Sequence, residues 1–374
     1  MVQSRGRSVV ERRQRVGAGS TVREDEEVSE AAVRGGMGSR RDLPASIAGY
    51  QVLAELGAGG MGTVYLVRHP RIGRLEALKV ISPALAADPE FRKRFLREAE
   101  LAASVEARGV VPVYDRNESD GRLYLTMRYV DGVDLGHLLL TSPRPSVEDA
   151  LTGLAQVAGA LDAVHRGGLV HRDVKPSNVL LAGGRFEAAP GAEVQWFLTD
   201  FGIARRLDQT TDLTGRAFLG TVPYTAPERF SGAPATPASD VYSFSCLAYE
   251  VLIGHPPFGR TAGQVLSAHA GRRAPEDDAA LAPGLRAALQ AGLASRPEDR
   301  PGTATELVAA MQRSDAAGGW ATATPGPAPV SEPAEDAATL ATTGCGTLPV
   351  AGPPPPRGRP RLWRRVARAF NPTL

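Results

Sequence analysis

The chain has 374 residues, a formal net charge of +2 and two cysteines, Cys246 and Cys345. This length can bury one large core or two ordinary ones, and the near-neutral charge indicates neither nucleic acid nor a membrane as a partner. The two cysteines are far apart, which argues against a zinc site or a disulfide framework and fits a reducing compartment. No stretch approaches the roughly 20 apolar residues of a membrane helix, and the charged N-terminus is not a secretory signal.

The pattern along the first third of the chain changes near Tyr50. Residues 1–46 mix Arg, Glu, Gly and Ser with few large apolar side chains, so we predict that they are disordered. Alternating apolar residues then predict strands at residues 50–56, 62–67, 75–81, 110–114 and 123–129. Residues 91–105 carry apolar side chains on one face and charges on the other, which predicts a helix.

Helical patterns replace the strands after Gly132. We predict helices at residues 147–165, 240–252, 285–294 and 303–311, and His165 is interpreted as the end of the first of these. The sequence therefore predicts four parts, namely a disordered segment (1–46), a folded domain (47–313), an Ala/Pro/Thr-rich linker (314–356) and a basic amphipathic tail (357–374). Within the folded domain, the β-rich first lobe is predicted to end near residue 130.

The tail leaves several interpretations open. Residues 357–370 combine arginines, no acid and a few apolar side chains, and Pro360 limits any helix there to about ten residues. Such a segment suits peripheral contact with the inner face of an anionic membrane, contact with an acidic protein partner, or no role at all. We expect a cytoplasmic protein, with membrane contact as the alternative.

The first motif with chemical meaning is glycine-rich. Residues 57–64 read GAGGMGTV, and glycines at this spacing let backbone amides approach a polyphosphate closely. The same spacing occurs in dinucleotide-binding folds and in ordinary turns, but here a strand follows rather than a helix. Lys79 then lies in a strand whose other residues are mostly apolar, and it is either an outward-facing residue or a phosphate ligand paired with Glu98. If Glu98 does not pair with Lys79, it is one of many solvated acidic residues on a helix.

The strongest motif is polar and lies between two apolar runs. Residues 171–178 read HRDVKPSN, in which Asp173 can accept a hydroxyl proton, Lys175 can neutralise a phosphoryl group and Asn178 can bind a metal. Residues 199–202 read TDFG, and the Asp200 carboxylate suits Mg²⁺.

In this order the motifs resemble the protein kinase family, and the resemblance spans about residues 48–312. It continues through GTVPY (220–224), APE (226–228), SDVYS (239–243), PPF (256–258) and DRP (299–301). The chain is similar to the eukaryotic-like serine/threonine kinases of bacteria, of the actinobacterial kind without a membrane helix. The resemblance implies an α+β, bilobal protein kinase fold with a small antiparallel β-rich lobe carrying one key helix and a larger, mostly helical lobe.

The resemblance implies that the γ-phosphate of ATP is transferred to Ser and Thr hydroxyls of proteins. It assigns catalysis to Asp173 and Lys175, Mg²⁺ or Mn²⁺ binding to Asn178 and Asp200, and phosphate orientation to Lys79 held by Glu98. The implied nucleotide-binding residues are Leu56, Gly57, Gly59, Gly62, Val64, Ala77, Lys79, Met127 and Tyr129. The implied supporting residues are Arg172, Thr221, Glu228, Asp240 and Arg300, with Glu228 and Arg300 as a buried ion pair and Asp240 beneath the catalytic loop.

The resemblance also implies regulation. An arginine before the catalytic aspartate goes with control by phosphorylation of the activation loop, where Thr210, Thr211 and Thr214 are the candidates. The alternative is that these threonines are ordinary polar loop residues. Autophosphorylation in trans would involve a transient homodimer.

Three departures from the family pattern separate this chain from its relatives. Arg128 replaces a common acid near the adenine site, and Arg108-Gly109 replaces a His-Pro pair, which we expect to loosen that junction. Residues 182–196 form a longer loop than in compact relatives, either as length variation or as a docking element.

Two rival functions share the fold, namely a pseudokinase scaffold that binds ATP without catalysis and a kinase acting on small molecules.

Overall fold

The structure is a computed structural model that describes residues 43–186, 193–200, 222–271, 275 and 281–316. The chain divides into two compact units. The first comprises the residues up to Ala99 together with Pro112–Asp131, and the second comprises Glu100–Val111 together with the residues from Gly132 onwards. Among the described residues, no helix is both long and apolar enough to cross a membrane.

The first unit is an antiparallel sheet of six strands in the order β1-β2-β3-β4-β6-β5. The strands are β1 (Ser46–Ile47), β2 (Tyr50–Gly59), β3 (Gly62–Arg68), β4 (Leu75–Ile81), β5 (Val113–Ser119) and β6 (Arg122–Arg128). Its helices are α1 (Pro83–Ala86) and the longer α2 (Pro89–Ala103), whose last residues are assigned to the second unit. One face of the sheet is covered by Ile47 and Tyr50, which pack on Val67, Leu78 and Tyr124.

The second unit is mostly helical. Its helices are α3 (Leu135–Thr141), α4 (Val147–Arg166), α5 (Pro227–Phe230), α6 (Pro237–Ile253), α7 (Ala262–Gly271), α8 (Pro283–Gly292) and α9 (Ala304–Ala316). A small antiparallel sheet in the order β7-β8-β9 contains β7 (Gly132–Asp134), β8 (Val179–Ala182) and β9 (Trp196–Leu198). Single turns of 3₁₀ helix cover Pro176–Asn178, Val222–Tyr224 and Pro297–Asp299.

Local sequence explains the bounds of the two long helices. Helix α4 begins after Ser146, whose hydroxyl accepts the Asp149 N–H, and it buries a continuous apolar stripe. Helix α6 begins with a capping box between Thr236 and Ser239 and ends at Gly254, whose φ of 101° is readily adopted by glycine. Asp162 of α4 accepts the first N–H groups of α9, at Ala304 and Thr305, and so joins these two helices.

The predicted order of a β-rich part followed by helices is confirmed, but one predicted strand is displaced. The prediction covered residues 110–114, whereas β5 is Val113–Ser119 and lies at the edge of the sheet, where its polar side chains reach solvent. Val110 and Val111 instead pair with Leu198 of β9 in the second unit. The predicted linker from residue 317, the basic tail, and the predicted disordered segment as far as residue 42 lie outside the described residues. Residues 314–316, predicted as linker, belong to α9, and Ser46, predicted as disordered, belongs to β1.

Candidate active site

The glycine-rich motif forms the turn between β2 and β3. Gly59 pairs with Gly62 across this hairpin. Gly62 has a φ of 143°, and a Cβ there would lie 1.9 Å from the Val80 carbonyl oxygen, so only glycine fits. A Cβ at Gly59 would meet no described heavy atom within 4 Å.

The register of the sheet brings the predicted nucleotide-binding residues of β3, β4 and β6 onto one face. Val64 lies opposite Lys79, and Ala77 lies opposite Met127. Directly opposed residues share a face, as do residues two apart on one strand, so these four side chains lie together on the face not covered by Tyr50. Ala77 and Met127 are buried, whereas Lys79 is half-buried.

The other predicted residues of the first unit have separate positions. Leu56 lies at a β-bulge between Glu55 and Gly57, where the register of β2 against β3 shifts. Glu98 is half-buried on α2. Tyr129 follows β6, and burial raises the pKa of its hydroxyl to about 12.

The catalytic-loop residues converge on the carboxylate of Asp173. Lys175 Nζ lies 3.0 Å from Asp173 Oδ2, and Asn178 Nδ2 donates to the same oxygen at 3.1 Å and to the Asp173 carbonyl at 2.7 Å. Asp173 is 8% exposed, so its carboxylate is oriented by these groups more than by water. Because the Asn178 amide uses its nitrogen here, its amide oxygen is available to another ligand.

Asp240 of α6 accepts hydrogen bonds from the backbone of this loop. Its carboxylate accepts the N–H of His171 at 2.6 Å and the N–H of Arg172 at 2.9 Å. Arg172 has a φ of 66°, which costs a non-glycine residue about 1–2 kcal/mol and needs such support. His165 Nε2 also lies 2.9 Å from Asp240 Oδ2, a contact that its interpretation as a helix end missed.

His171 links the catalytic loop to the strand that precedes Asp200. Its Nε2 lies 3.0 Å from the Thr199 carbonyl, and its Nδ1 accepts the Asp173 N–H at 3.3 Å. This pattern requires a neutral ring with its proton on Nε2, which agrees with the lowering of its pKa by burial. The Thr199 N–H donates to the Asn178 carbonyl at 3.0 Å, so the residue before Asp200 is bonded to the Asn178 backbone.

The oxygen donors at Asn178 and Asp200 suit a hard divalent cation. The amide oxygen of Asn178 and the carboxylate of Asp200, which follows a residue bonded to Asn178, are the ligand types that Mg²⁺ prefers. In the described ranges no group of three or more His, Cys, Asp or Glu side chains forms a metal site. Mg²⁺ is usually bound through one or two carboxylates together with substrate oxygens, and the donors at Asn178 and Asp200 are of this kind.

Two ion-pair networks support the segment that follows the site. The Arg300 guanidinium donates to both oxygens of Glu228 at 2.7 Å and stacks over the Tyr242 ring. In a contact not predicted from the sequence, the hydroxyl of Tyr224 donates to the buried carboxylate of Glu250, which also accepts from Arg260 at 2.9 Å. These residues are far apart in sequence, so only the folded chain reveals the second network.

Some predicted site residues lie outside the described part of the chain. These are the phosphorylation candidates and the threonine of the GTVPY motif, namely Thr210, Thr211, Thr214 and Thr221. Their roles stay predictions. The Arg108-Gly109 junction is described, and its Gly109 carbonyl accepts the Leu198 N–H at 2.7 Å. That this junction is looser than the His-Pro junction of relatives stays a prediction.

We predict that stability falls as the pH is lowered from 7.5 to 5.5. His269 lies among the rings of Phe230, Tyr242 and Phe258, and burial lowers its pKa to about 4. An unfolded histidine titrates near pH 6.5, so below that pH the unfolded chain binds a proton that the native chain does not. The expected loss from this group is about 1 kcal/mol, allowing for a partly exposed ring.

Denaturant unfolding of the parent and of His269→Gln at the two pH values tests this prediction. We expect the variant to lose less stability than the parent on acidification. Raised pKa values of Glu250 and Asp134, both caused mainly by burial, act in the opposite direction at lower pH, which is why the comparison stops at pH 5.5. An equal loss of stability in parent and variant would show that the titration of His269 does not cause this pH dependence.

Known proteins resemble the chain over the same region. The family described as "Protein kinase domain" matches residues 50–311. The serine/threonine-protein kinase PknJ of Mycobacterium tuberculosis is 36% identical over 322 residues, which are 84% of this chain and 54% of PknJ. PknF of the same species is 40% identical over 269 residues, which are 68% of this chain and 54% of PknF. The chain thus spans about half the length of these relatives.

A solved structure supports the fold. The crystal structure of the Mycobacterium tuberculosis PknI kinase domain is similar with a TM-score of 0.58 and 36% identity, and the match covers 73% of this chain and 99% of that domain. The predicted kinase fold, with an antiparallel β-rich unit and a mostly helical unit, is confirmed. The chain belongs to the protein kinase family.

Proposed function

We propose that the chain is an active serine/threonine protein kinase that transfers the γ-phosphate of ATP to protein hydroxyls. The observation that carries this proposal is the Asp173 carboxylate, held by Lys175 at 3.0 Å and by Asn178 at 3.1 Å on a loop anchored to Asp240. The lysine two residues after the aspartate favours serine and threonine over tyrosine as acceptors.

The residues of each unit have distinct tasks in this proposal. In the first unit, the β2–β3 turn approaches the phosphates of ATP, Lys79 orients them, and Glu98 holds Lys79. In the second unit, Asp173 orients the acceptor hydroxyl and takes its proton, while Lys175 stabilises charge on the transferring group. Asn178 and Asp200 would hold Mg²⁺ or Mn²⁺, which when bound neutralises charge on the phosphate oxygens.

Regulation by phosphorylation is part of the proposal. Arg172, next to the catalytic aspartate, is placed in sequence to pair with a phosphate on the activation loop. We propose that Thr210, Thr211 or Thr214 is the acceptor and that a transient homodimer performs the reaction.

For the basic tail at residues 357–370 we propose the same two partners as before, an anionic membrane surface or an acidic protein.

Incubation with labelled ATP and Mg²⁺, followed by phosphopeptide mapping, tests the proposed activity. We expect label on at least one of the three threonines and on a generic basic protein substrate. Changing all three threonines to alanine should remove the loop label and lower transfer about 5- to 150-fold, the usual range for coupling between a regulatory and an active site. Intact ATP binding with no label on any protein would instead favour the pseudokinase scaffold.

A further inference from the structure

The segment that enters β9 is hydrogen-bonded at two backbone groups by the side chain of Gln156 on α4. Its amide oxygen accepts the Trp196 N–H at 3.0 Å, and its amide nitrogen donates to the Val194 carbonyl at 3.0 Å. Backbone groups two residues apart on an extended chain point to the same side, so the Gln156 amide bonds to this segment as a neighbouring strand would. The order of donor and acceptor fixes the orientation of the amide.

Two further contacts complete this attachment. Gln156 Nε2 also lies 3.1 Å from Glu193 Oε1, and the other oxygen of Glu193 accepts from Arg108 at 3.2 Å. Gly153, one turn before Gln156, lies against the indole of Trp196, since a Cβ at this position would be 2.2 Å from the ring. Helix α4 therefore offers a shaped site for Trp196 and a polar partner for its backbone.

The connection between β8 and β9 explains why such an attachment is needed. A two-residue turn fixes the register of a hairpin, but residues 183–195 separate these strands, and a connection of this length does not by itself determine a register. Their ladder has the pairs Val179 with Leu198, Leu180 with Phe197 and Leu181 with Trp196, and the Ala182 N–H also donates to the Gln195 carbonyl at 3.0 Å. A slip by one residue would turn the buried side chains of β9 to the opposite face.

The register of β9 determines where the site begins. Leu198 donates its N–H to the Gly109 carbonyl, Thr199 bonds to Asn178 and His171, and Asp200 is the next residue. We propose that Gln156 is a positioning residue for phosphoryl transfer, which holds β9 in the register that brings Asp200 to the catalytic loop. The inference rests on the proposed function, because that function assigns Asp200 and Asn178 to the metal.

The test replaces Gln156 by leucine, which has similar volume and makes neither hydrogen bond. We expect the Mg²⁺ concentration for half-maximal transfer to rise about 10- to 100-fold, as is typical when a contact that orients a ligand is lost. The KM for a protein substrate should stay within about twofold, a smaller change than loss of any one hot-spot contact would cause. Amide hydrogen exchange at residues 196–200 should become faster. The matched control is Gln195→Leu, the same change at an exposed residue of the same segment.

Each outcome separates this inference from the proposed function. A parent protein that transfers no phosphate would overturn the proposed function before any variant is compared. An active parent with the same Mg²⁺ dependence in Gln156→Leu as in Gln195→Leu would overturn the positioning role alone. If Gln156→Leu does not fold, Gln156→Glu decides, since it keeps the acceptor for Trp196 but faces the Val194 carbonyl with a carboxylate. Unchanged Mg²⁺ dependence in that variant would also overturn the positioning role.

Discussion

Replacing Asp173 by asparagine will lower phosphoryl transfer by about 100- to 10,000-fold while leaving the protein folded. An asparagine amide cannot take a proton from the acceptor hydroxyl, and general-base catalysis contributes a factor of this size. The substitution also removes the charge that Lys175 faces at 3.0 Å, which weakens the attraction that orients the lysine. The measurement is the initial rate of label transfer from ATP to a basic protein substrate.

The control for this experiment is Glu148→Gln, the same chemical change at an exposed carboxylate in the first turn of α4. We expect its rate and its unfolding midpoint to match those of the parent protein. ATP affinity should be retained in Asp173→Asn, because the proposal places nucleotide binding on Lys79 and the glycine-rich turn. A rate near that of the parent in Asp173→Asn would contradict the assignment of this carboxylate to the transfer step.

The catalytic loop could be predicted from the sequence because its polar groups are contiguous. Asp173, Lys175 and Asn178 lie within six residues, so any fold that orders this loop keeps them near one another. The polar run between two apolar segments has no explanation as core or as a simple turn, which made it a strong signal. The same reasoning identified the glycine-rich turn, because its glycines lie within a single hairpin.

Contacts between distant segments could not be predicted in this way. The bond of His165 to Asp240 joins residues 75 positions apart, and that of Gln156 to Trp196 joins residues 40 positions apart. A single histidine or glutamine on a helix has no distinctive sequence pattern. His165 is therefore interpreted only as the end of a helix, and no role is predicted for Gln156. The displaced strand has a similar cause, since Val110 and Val111 have the apolar character of a strand but pair with β9 rather than with their sequence neighbours.

The catalytic loop is hydrogen-bonded to more than one element of the second unit. Asp240 holds its backbone from α6, and His171 joins it to Thr199. Each of these links uses a buried polar group with its partners in place, and such groups are costly to leave unpaired. The site is thus fixed in the second unit by the same hydrogen bonds that stabilise that unit, so substitutions at these positions will affect stability and activity together.

Removal of the Arg300 side chain should cause the largest loss of stability. Arg300 is 7% exposed and donates to both oxygens of Glu228 and to the Ala238 and Ala294 carbonyls. In Arg300→Leu the largely buried Glu228 carboxylate loses its partner, and breaking a buried pair in this way costs about 3–5 kcal/mol. Denaturant unfolding of parent and variant at pH 7.5 measures this loss.

Two further variants distinguish the geometry of this pair from its charge. Arg300→Lys keeps the charge but not the planar fork, so we expect it to recover only part of the stability. Arg296→Leu removes the same kind of side chain from an exposed pair with Glu298, 74% and 57% exposed, and should leave the free energy of unfolding close to that of the parent. If Arg300→Leu and Arg296→Leu lost the same small amount, burial would not be the source of the effect. A large loss in Arg300→Leu alone would instead show that the buried pair with Glu228 contributes far more to stability than the exposed pair does.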